Sequence, residues 1–354
     1  IADRGNRKNI IAISLALFSA MTVLCGTATT FAQMLFYRMG VGVGEAGTSP
    51  PSHSIISDLY GPESRSSAMS IFALGAPIGI FLGFAIGGLV AHLWGWRTAF
   101  WVAGLPGIAM SLLTYFFVKE PRRGLSEKPK LHTEIPPKFI TVLVLLWHKR
   151  SAFHLIMGAT IVLFSGYSFT TWASSFLIRS YNIGLTSAGI ALATTIGIGG
   201  AIGAISSGFL ADKLRKRDVR WPCWMICIAI TLSIPFSLTG YAVNSLYFSL
   251  FLLMVPAIVA SFYFGPTMAM LHGVVVIEAR AITSAITLFI INLIALGLGP
   301  AFTGYLSDSL EDYFAHNSLR YALMIISIMP LWALYHFYSA SKHISKDTNF
   351  PLKY

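Results

Sequence analysis

Long apolar stretches separated by short polar ones dominate the chain. Mostly apolar runs cover 9–30, 31–58, 67–93, 98–118, 152–178, 184–211, 220–243, 245–271, 282–306 and 319–340. Each is long enough to cross roughly 30 Å of hydrocarbon, which takes about 20 residues of helix. In lipid the backbone must satisfy its own hydrogen bonds, and a helix does so within one segment. The pattern predicts ten membrane-spanning helices, and no series of short alternating strands points to a barrel. A further apolar run at 139–147 is nine residues long, with Lys138 before it and His148, Lys149 and Arg150 after it. It is too short to cross and reads as an interfacial helix.

Composition agrees with lipid as the solvent. Only 11% of the 354 residues are charged and 55% are hydrophobic, whereas soluble domains carry about 25% charged residues. Mean hydropathy is +0.69. A net charge of +11 would suit nucleic acid, but its placement excludes that reading. With ten spans drawn, 21 of the 25 basic residues fall in loops on one side of the membrane, three on the other, and Arg38 inside a span. This is the positive-inside asymmetry, and it places both chain ends in the cytoplasm. The expected location is a plasma membrane, or the inner membrane of a bacterium. Cys25, Cys223 and Cys227 all lie in apolar stretches, so neither a disulfide framework nor a metal site is expected.

An internal repeat divides the chain. Asp3, Arg4, Arg7 and Lys8 in the opening polar run match Asp212, Lys213, Lys216 and Arg217, and the run around Glu63 and Arg65 matches that around Glu278 and Arg280. The offsets, 209 and 215, are nearly equal. The later basic loop has two spans before it, whereas the first copy opens the sequence. Two equivalent six-helix halves would therefore make the chain ten helices of twelve, lacking the first two. The expected division is an N-terminal half over 1–118, a linker over 119–150, a C-terminal half over 151–342 and a cytoplasmic tail over 343–354.

These motifs carry a family resemblance. The two basic loops, Asp3 to Lys8 and Gly208 to Arg217, resemble the loop motif of the major facilitator superfamily, and Trp96, Arg97 and Phe100 are similar to a further pattern of that family. Arg38, Gly40, Gly42, Gly44, Glu45 and Ala46, followed by Asp58 and Tyr60, resemble the fourth helix of Spinster-type transporters. The resemblance implies an all-α membrane protein of the major facilitator fold, 6+6 helices in two pseudo-symmetric halves. It also implies that Asp3, Arg4, Arg7, Arg65, Asp212 and Arg215 close the cytoplasmic side through charged contacts. The competing reading of these charges is a solvated, topology-setting loop.

Chemistry inside the spans is sparse. Of 14 acidic residues, 13 sit in loops or at helix ends, which leaves Glu45 near the bilayer midplane. An intramembrane ionisable residue is a functional candidate because removing its charge from water is costly. Arg38 lies seven residues earlier, within about 20° of the same helical face and roughly 10 Å further along the axis. Both are expected to face a central cavity, with direct contact across two turns disfavoured because helical side chains lean toward the N-terminus. Exchange of a carboxylate between a proton and Arg38 is the expected coupling step, with the resemblance implying a second acid on a first helix. The bland alternative is that Glu45 accepts local hydrogen bonds and Arg38 snorkels to the interface.

The glycines of this helix read as GxGxxG at Gly42, Gly44 and Gly47, but no strand precedes them. Helix packing explains them better than a nucleotide. Gly75, Gly79, Gly83 and Gly87 recur every fourth residue and predict a close-packing ridge. Thr48, Ser52, Tyr167, Thr171, Trp172, Phe262, Tyr263 and Asn292 are the candidate cavity lining. That lining is aromatic and uncharged, so an amphipathic substrate with one polar head is expected; the Spinster resemblance implies lysolipids or sphingolipids.

The sequence thus predicts a monomeric, proton-coupled transporter that needs no cofactor or metal, binds no nucleic acid and is not an enzyme. Two alternatives remain: a facilitator for a small organic anion whose carboxylate binds Arg38, and a lipid-binding sensor that does not transport.

Overall fold

The computed structural model describes residues 5–126 and 138–349, and among them every regular element is helical. The N-terminal half comprises α1 (Arg7–Cys25), α2 (Phe31–Ala46), α3 (Ser49–Leu59), α4 (Arg65–Leu82) and α5 (Trp96–Phe117). The short helix α6 (Phe139–His148) precedes the C-terminal half. That half holds α7 (Arg150–Tyr181), α8 (Thr186–Arg215), α9 (Trp221–Ala242), α10 (Leu246–Val274), α11 (Ile277–Ser309) and α12 (Glu311–Thr348). Nine helices among the described residues are long and apolar enough to cross a membrane; α2 and α3, laid end to end, supply the tenth apolar rod.

The α2–α3 break has a local cause. Pro50 and Pro51 lack an N–H, and a proline ring inside a helix collides with the carbonyl four residues back. They are tolerated in a first turn, so α2 ends at Ala46 and α3 opens with both prolines near its start. The break leaves Glu45 in the last turn of α2.

Small residues fix how the rods approach. A Cβ at Gly44 would lie 2.6 Å from the backbone nitrogen of Phe18, and one at Gly40 would lie 2.7 Å from the Met21 side chain, so both glycines face α1. Gly47 meets Ser14 on the same helix. Packing is thus the use of these glycines, and Gly42, with open space around it, stands apart from them.

The predicted ridge on α4 is a correction. No heavy atom lies within 4 Å of a Cβ position at Gly75, Gly79, Gly83 or Gly87. The tight contact between the halves comes instead from glycines of α8: a Cβ added at Gly197 would lie 2.8 Å from Phe81, one at Gly200 2.9 Å from Pro77, and one at Gly208 2.6 Å from Ser70. Two residues advance a helix by about 200°, so Pro77 points away from the side that carries Gly75.

The last helix runs to Asn349, beyond the tail boundary expected at 343. Its end is anchored: the Asp347 carboxylate accepts from Ser151 Oγ at 2.5 Å, and Lys149 Nζ donates to the Asp347 and Val274 carbonyls at 3.2 and 2.6 Å. Burial lowers the pKa of the Lys149 ammonium, and the Asp347 charge opposes that shift. In α6, Val142 and Leu146 are buried while Phe139, Ile140 and Trp147 stay exposed, so one face of this short helix packs on protein.

Candidate functional site

Between the halves lies a cavity of about 1470 Å³. Small-molecule pockets run to roughly 1,000 Å³, so this one has room for a lipid-sized guest. Glu45 lines it from α2, Tyr167 from α7, Tyr263 and Phe264 from α10, and Asn292 from α11. Ser49 and His53 enter from α3, and Ser165, Thr170, Ser233, Ser237 and Tyr241 add hydroxyls from the C-terminal half. Glu45 is the one acidic residue in this lining, and no lysine or arginine contributes to it.

Of the eight predicted lining residues, Tyr167, Tyr263 and Asn292 take their places. The other five do not. Thr48 and Ser52 bond back to the carbonyls of Glu45 and Thr48, both at 2.8 Å, as short hydroxyl side chains in helices do. Trp172 donates its indole N–H to the Pro300 carbonyl at 2.9 Å and packs over Gly304, joining α7 to α11. Phe262 is half-buried against the C-terminal core, and Thr171 is exposed outside the cavity wall. Arg38 is exposed and absent from the lining, and among the described residues its side chain has neither hydrogen bond nor ion pair. Of the two residues expected to face one cavity, Glu45 does and Arg38 does not.

The face that carries the basic loops is sealed. Arg7, fully buried, forms an ion pair with Asp58, a second with Glu120 at 2.7 Å, and hydrogen bonds to Ser54 Oγ and the Pro121 carbonyl, both at 3.0 Å. That cluster ties α1, α3 and the start of the linker together within one half. Asp58 then reaches the other half through Arg280, whose Nη1 lies 3.4 Å from its Oδ1. Asp212, on α8, accepts from the backbone N–H groups of Ser66 and Ser67 at 3.1 and 2.7 Å. A carboxylate at the first turn of a helix satisfies orphan donors and meets the positive end of the dipole. Here the capped helix, α4, belongs to the opposite half.

Arg7, Arg65 and Asp212 take part in these contacts, and Arg215 is half-buried on the same turn of α8 as Asp212. Asp3 and Arg4 lie outside the described residues. Asp58, Glu120 and Arg280 complete these contacts; Asp58 stands in the fourth-helix motif and Arg280 in the repeat, while no motif points to Glu120.

The model of the Major Facilitator Superfamily matches residues 1–255. The chain belongs to that superfamily. It is 29% identical over 348 residues to an MFS-type efflux pump of Mycolicibacterium smegmatis, across 98% of this chain and 80% of that protein. It is 26% identical to the sphingosine-1-phosphate transporter SPNS2 of Danio rerio, across 92% of this chain and 69% of that one. In structure it is similar to a bacterial homologue of the human lysosomal transporter Spinster, crystallised inward-facing and unoccupied. There the TM-score is 0.71 at 28% identity, covering 98% of this chain and 85% of that one. The chain is a multi-pass membrane transporter of the superfamily with Spinster-type relatives, and those relatives are transporters rather than enzymes.

Proposed function

We propose that the chain moves a hydrophobic or amphipathic substrate by proton-coupled alternating access. The observation that carries this reading is the large cavity, apolar and hydroxyl-lined, with one carboxylate at Glu45. Such a wall solvates an acyl chain and leaves one strong polar contact for a head group. The organic-anion alternative needs Arg38 in the binding wall, and Arg38 is not part of that wall. With the basic loops cytoplasmic, the Asp58, Arg280 and Asp212 contacts make this the state closed to the cytoplasm. Alternation then consists of breaking those contacts and closing the opposite side around the loaded cavity. Glu45 takes the proton in one state and releases it in the other as its surroundings change. Arg38, two turns away, is the cation nearest to it along the helix.

The test uses purified protein in sealed vesicles with fluorescent lysophosphatidylcholine as probe. An imposed pH gradient is expected to drive accumulation, and Glu45→Gln and Arg38→Ala each to lower the driven rate at least about tenfold, a loss of about 1.4 kcal/mol. Full driven uptake in both variants sinks the coupling mechanism. Probe binding without flux selects the sensor reading, and accumulation of a labelled aromatic acid in place of the lipid selects the anion reading.

A further inference from the structure

Two buried histidines and two serines connect the cavity to the sealed face. His53 lines the cavity and is 1% exposed, and its Nε2 has no hydrogen-bond partner. Its other ring nitrogen, Nδ1, lies 3.3 Å from Ser284 Oγ. The same hydroxyl is 2.8 Å from His272 Nε2, and His272 Nδ1 is 2.5 Å from Ser57 Oγ. Ser57 adjoins Asp58, the acid of the inter-half ion pair, and its carbonyl accepts from Arg65 and Arg280. The four side chains come from α3, α11 and α10, so both halves contribute to one continuous hydrogen-bonded string.

Nothing in packing requires such a string. Buried polar groups are expensive unless satisfied, and an apolar wall at this depth avoids the cost altogether. The unpartnered Nε2 at its cavity end is the feature that packing leaves unexplained. When Nδ1 donates to Ser284, Nε2 presents a lone pair, the one position on the string able to accept a proton arriving from the cavity.

We propose that His53, Ser284, His272 and Ser57 form a proton path from the cavity to the cytoplasmic closing network, an inference that rests on the proton-coupled reading above. A proton binds His53 Nε2. The Nδ1–H bond of His53 breaks as an O–H bond forms at Ser284; the former hydroxyl proton of Ser284 passes to His272 Nε2. The Nδ1–H of His272 then passes to Ser57 Oγ, and the displaced Ser57 proton leaves to water when the Asp58–Arg280 contact opens. One proton enters and one leaves; the hydroxyls reorient by rotation, and each ring regains its Nδ1–H tautomer by exchanging protons with water while the path is open.

Arg280 Nε donates to the His272 carbonyl at 3.4 Å, so a guanidinium stands beside the string where it nears the Asp58 contact. The His53 Nδ1 pairs with Ser284 Oγ and its ring centroid lies 6.4 Å from that of His272; among the described residues no carboxylate, lysine or arginine hydrogen-bonds to this ring. The rings of Phe72 and Phe264, which line the same cavity, have centroids 5.1 and 5.8 Å from that of His53.

Two measurements test the path. In the vesicle assay with fluorescent lysophosphatidylcholine, Ser284→Ala and His272→Gln are expected to lower gradient-driven uptake at least about tenfold, while Ser284→Thr, which keeps the hydroxyl, stays within about twofold of the parent. Equal uptake in the alanine and threonine variants overturns the proposal, because a packing role does not distinguish them in this order. The second measurement needs no substrate: histidine-selective 15N NMR in nanodiscs. The His53 and His272 ring signals are expected to change over one pH range in the parent and over separate ranges in Ser284→Ala. Identical titrations with and without the hydroxyl also overturn it. A parent protein whose uptake ignores the pH gradient defeats the coupling reading itself, a failure distinguishable from one confined to the variants.

Discussion

Arg65 and Arg280 stand 215 positions apart in the two halves and donate to the same acceptor, the carbonyl of Ser57, at 3.2 and 3.4 Å. They are the repeat-related arginines at the starts of α4 and of the main helical stretch of α11. Their convergence makes the break after α3 the keystone of the sealed face. Both sit almost fully buried, and removing one partner of a buried charge cluster leaves the rest uncompensated, at a cost of about 3–5 kcal/mol. Arg280→Ala is therefore expected to open the cytoplasmic face. The check is alkylation of a cysteine placed at Ser284, which should react faster in the Arg280→Ala background than in the parent.

Asp212 acts on the opposite half through the helix end it caps. Loss of a capping side chain costs about 1 kcal/mol, more where the cap is charged. Because the cap crosses between halves, Asp212→Ala is expected to shift the conformational equilibrium while each half keeps its fold. A distance measurement between spin labels on α4 and α8 should show a larger open population, with helical content by circular dichroism unchanged.

Two glycines on one helix separate close packing from mere composition. A Cβ at Gly203 runs into the Ile258 carbonyl of α10, which is backbone and has no rotamer to escape into. Gly203→Ala is expected to destabilise the protein by about 1–3 kcal/mol through overpacking. Gly189, earlier on α8, has open space at its Cβ position. Gly189→Ala should be neutral or stabilise by up to about 1 kcal/mol through helix propensity. Thermal melting in detergent compares the two directly.

What the sequence made legible follows from which forces are local. The ten apolar rods depend on hydropathy and are present; of the two residues that helical period aims at one cavity, Glu45 lines it and Arg38 does not. The α4 glycines misled because a four-residue spacing says that one side is smooth, not which neighbour lies there; Pro77 and Phe81 on another side meet α8 instead. Trp172 was read as lining because an aromatic with a donor suits a cavity, yet its N–H finds the Pro300 carbonyl inside the half. His53, with Thr48, Ser49 and Ser52, reads in the sequence as a helix-bonded filler. Its partner Ser284 is 231 residues away, and no spacing rule within α3 signals a contact made across the halves.

The charge of the preferred substrate follows from the cavity wall. Among its lining residues Glu45 carries the one formal negative charge, and no lysine or arginine balances it. A cationic head group gains from a carboxylate in a low-dielectric site, whereas an anionic one meets repulsion at the same depth. Long-chain amines are therefore expected to compete with fluorescent lysophosphatidylcholine more strongly than fatty acids of equal length, by at least about tenfold, or 1.4 kcal/mol. Glu45→Gln should remove that preference while leaving competition by neutral monoacylglycerols nearly unchanged, because it deletes the charge and keeps the shape. Preference for the fatty acid in the parent would place the head group elsewhere, beside Arg38 in the middle of α2.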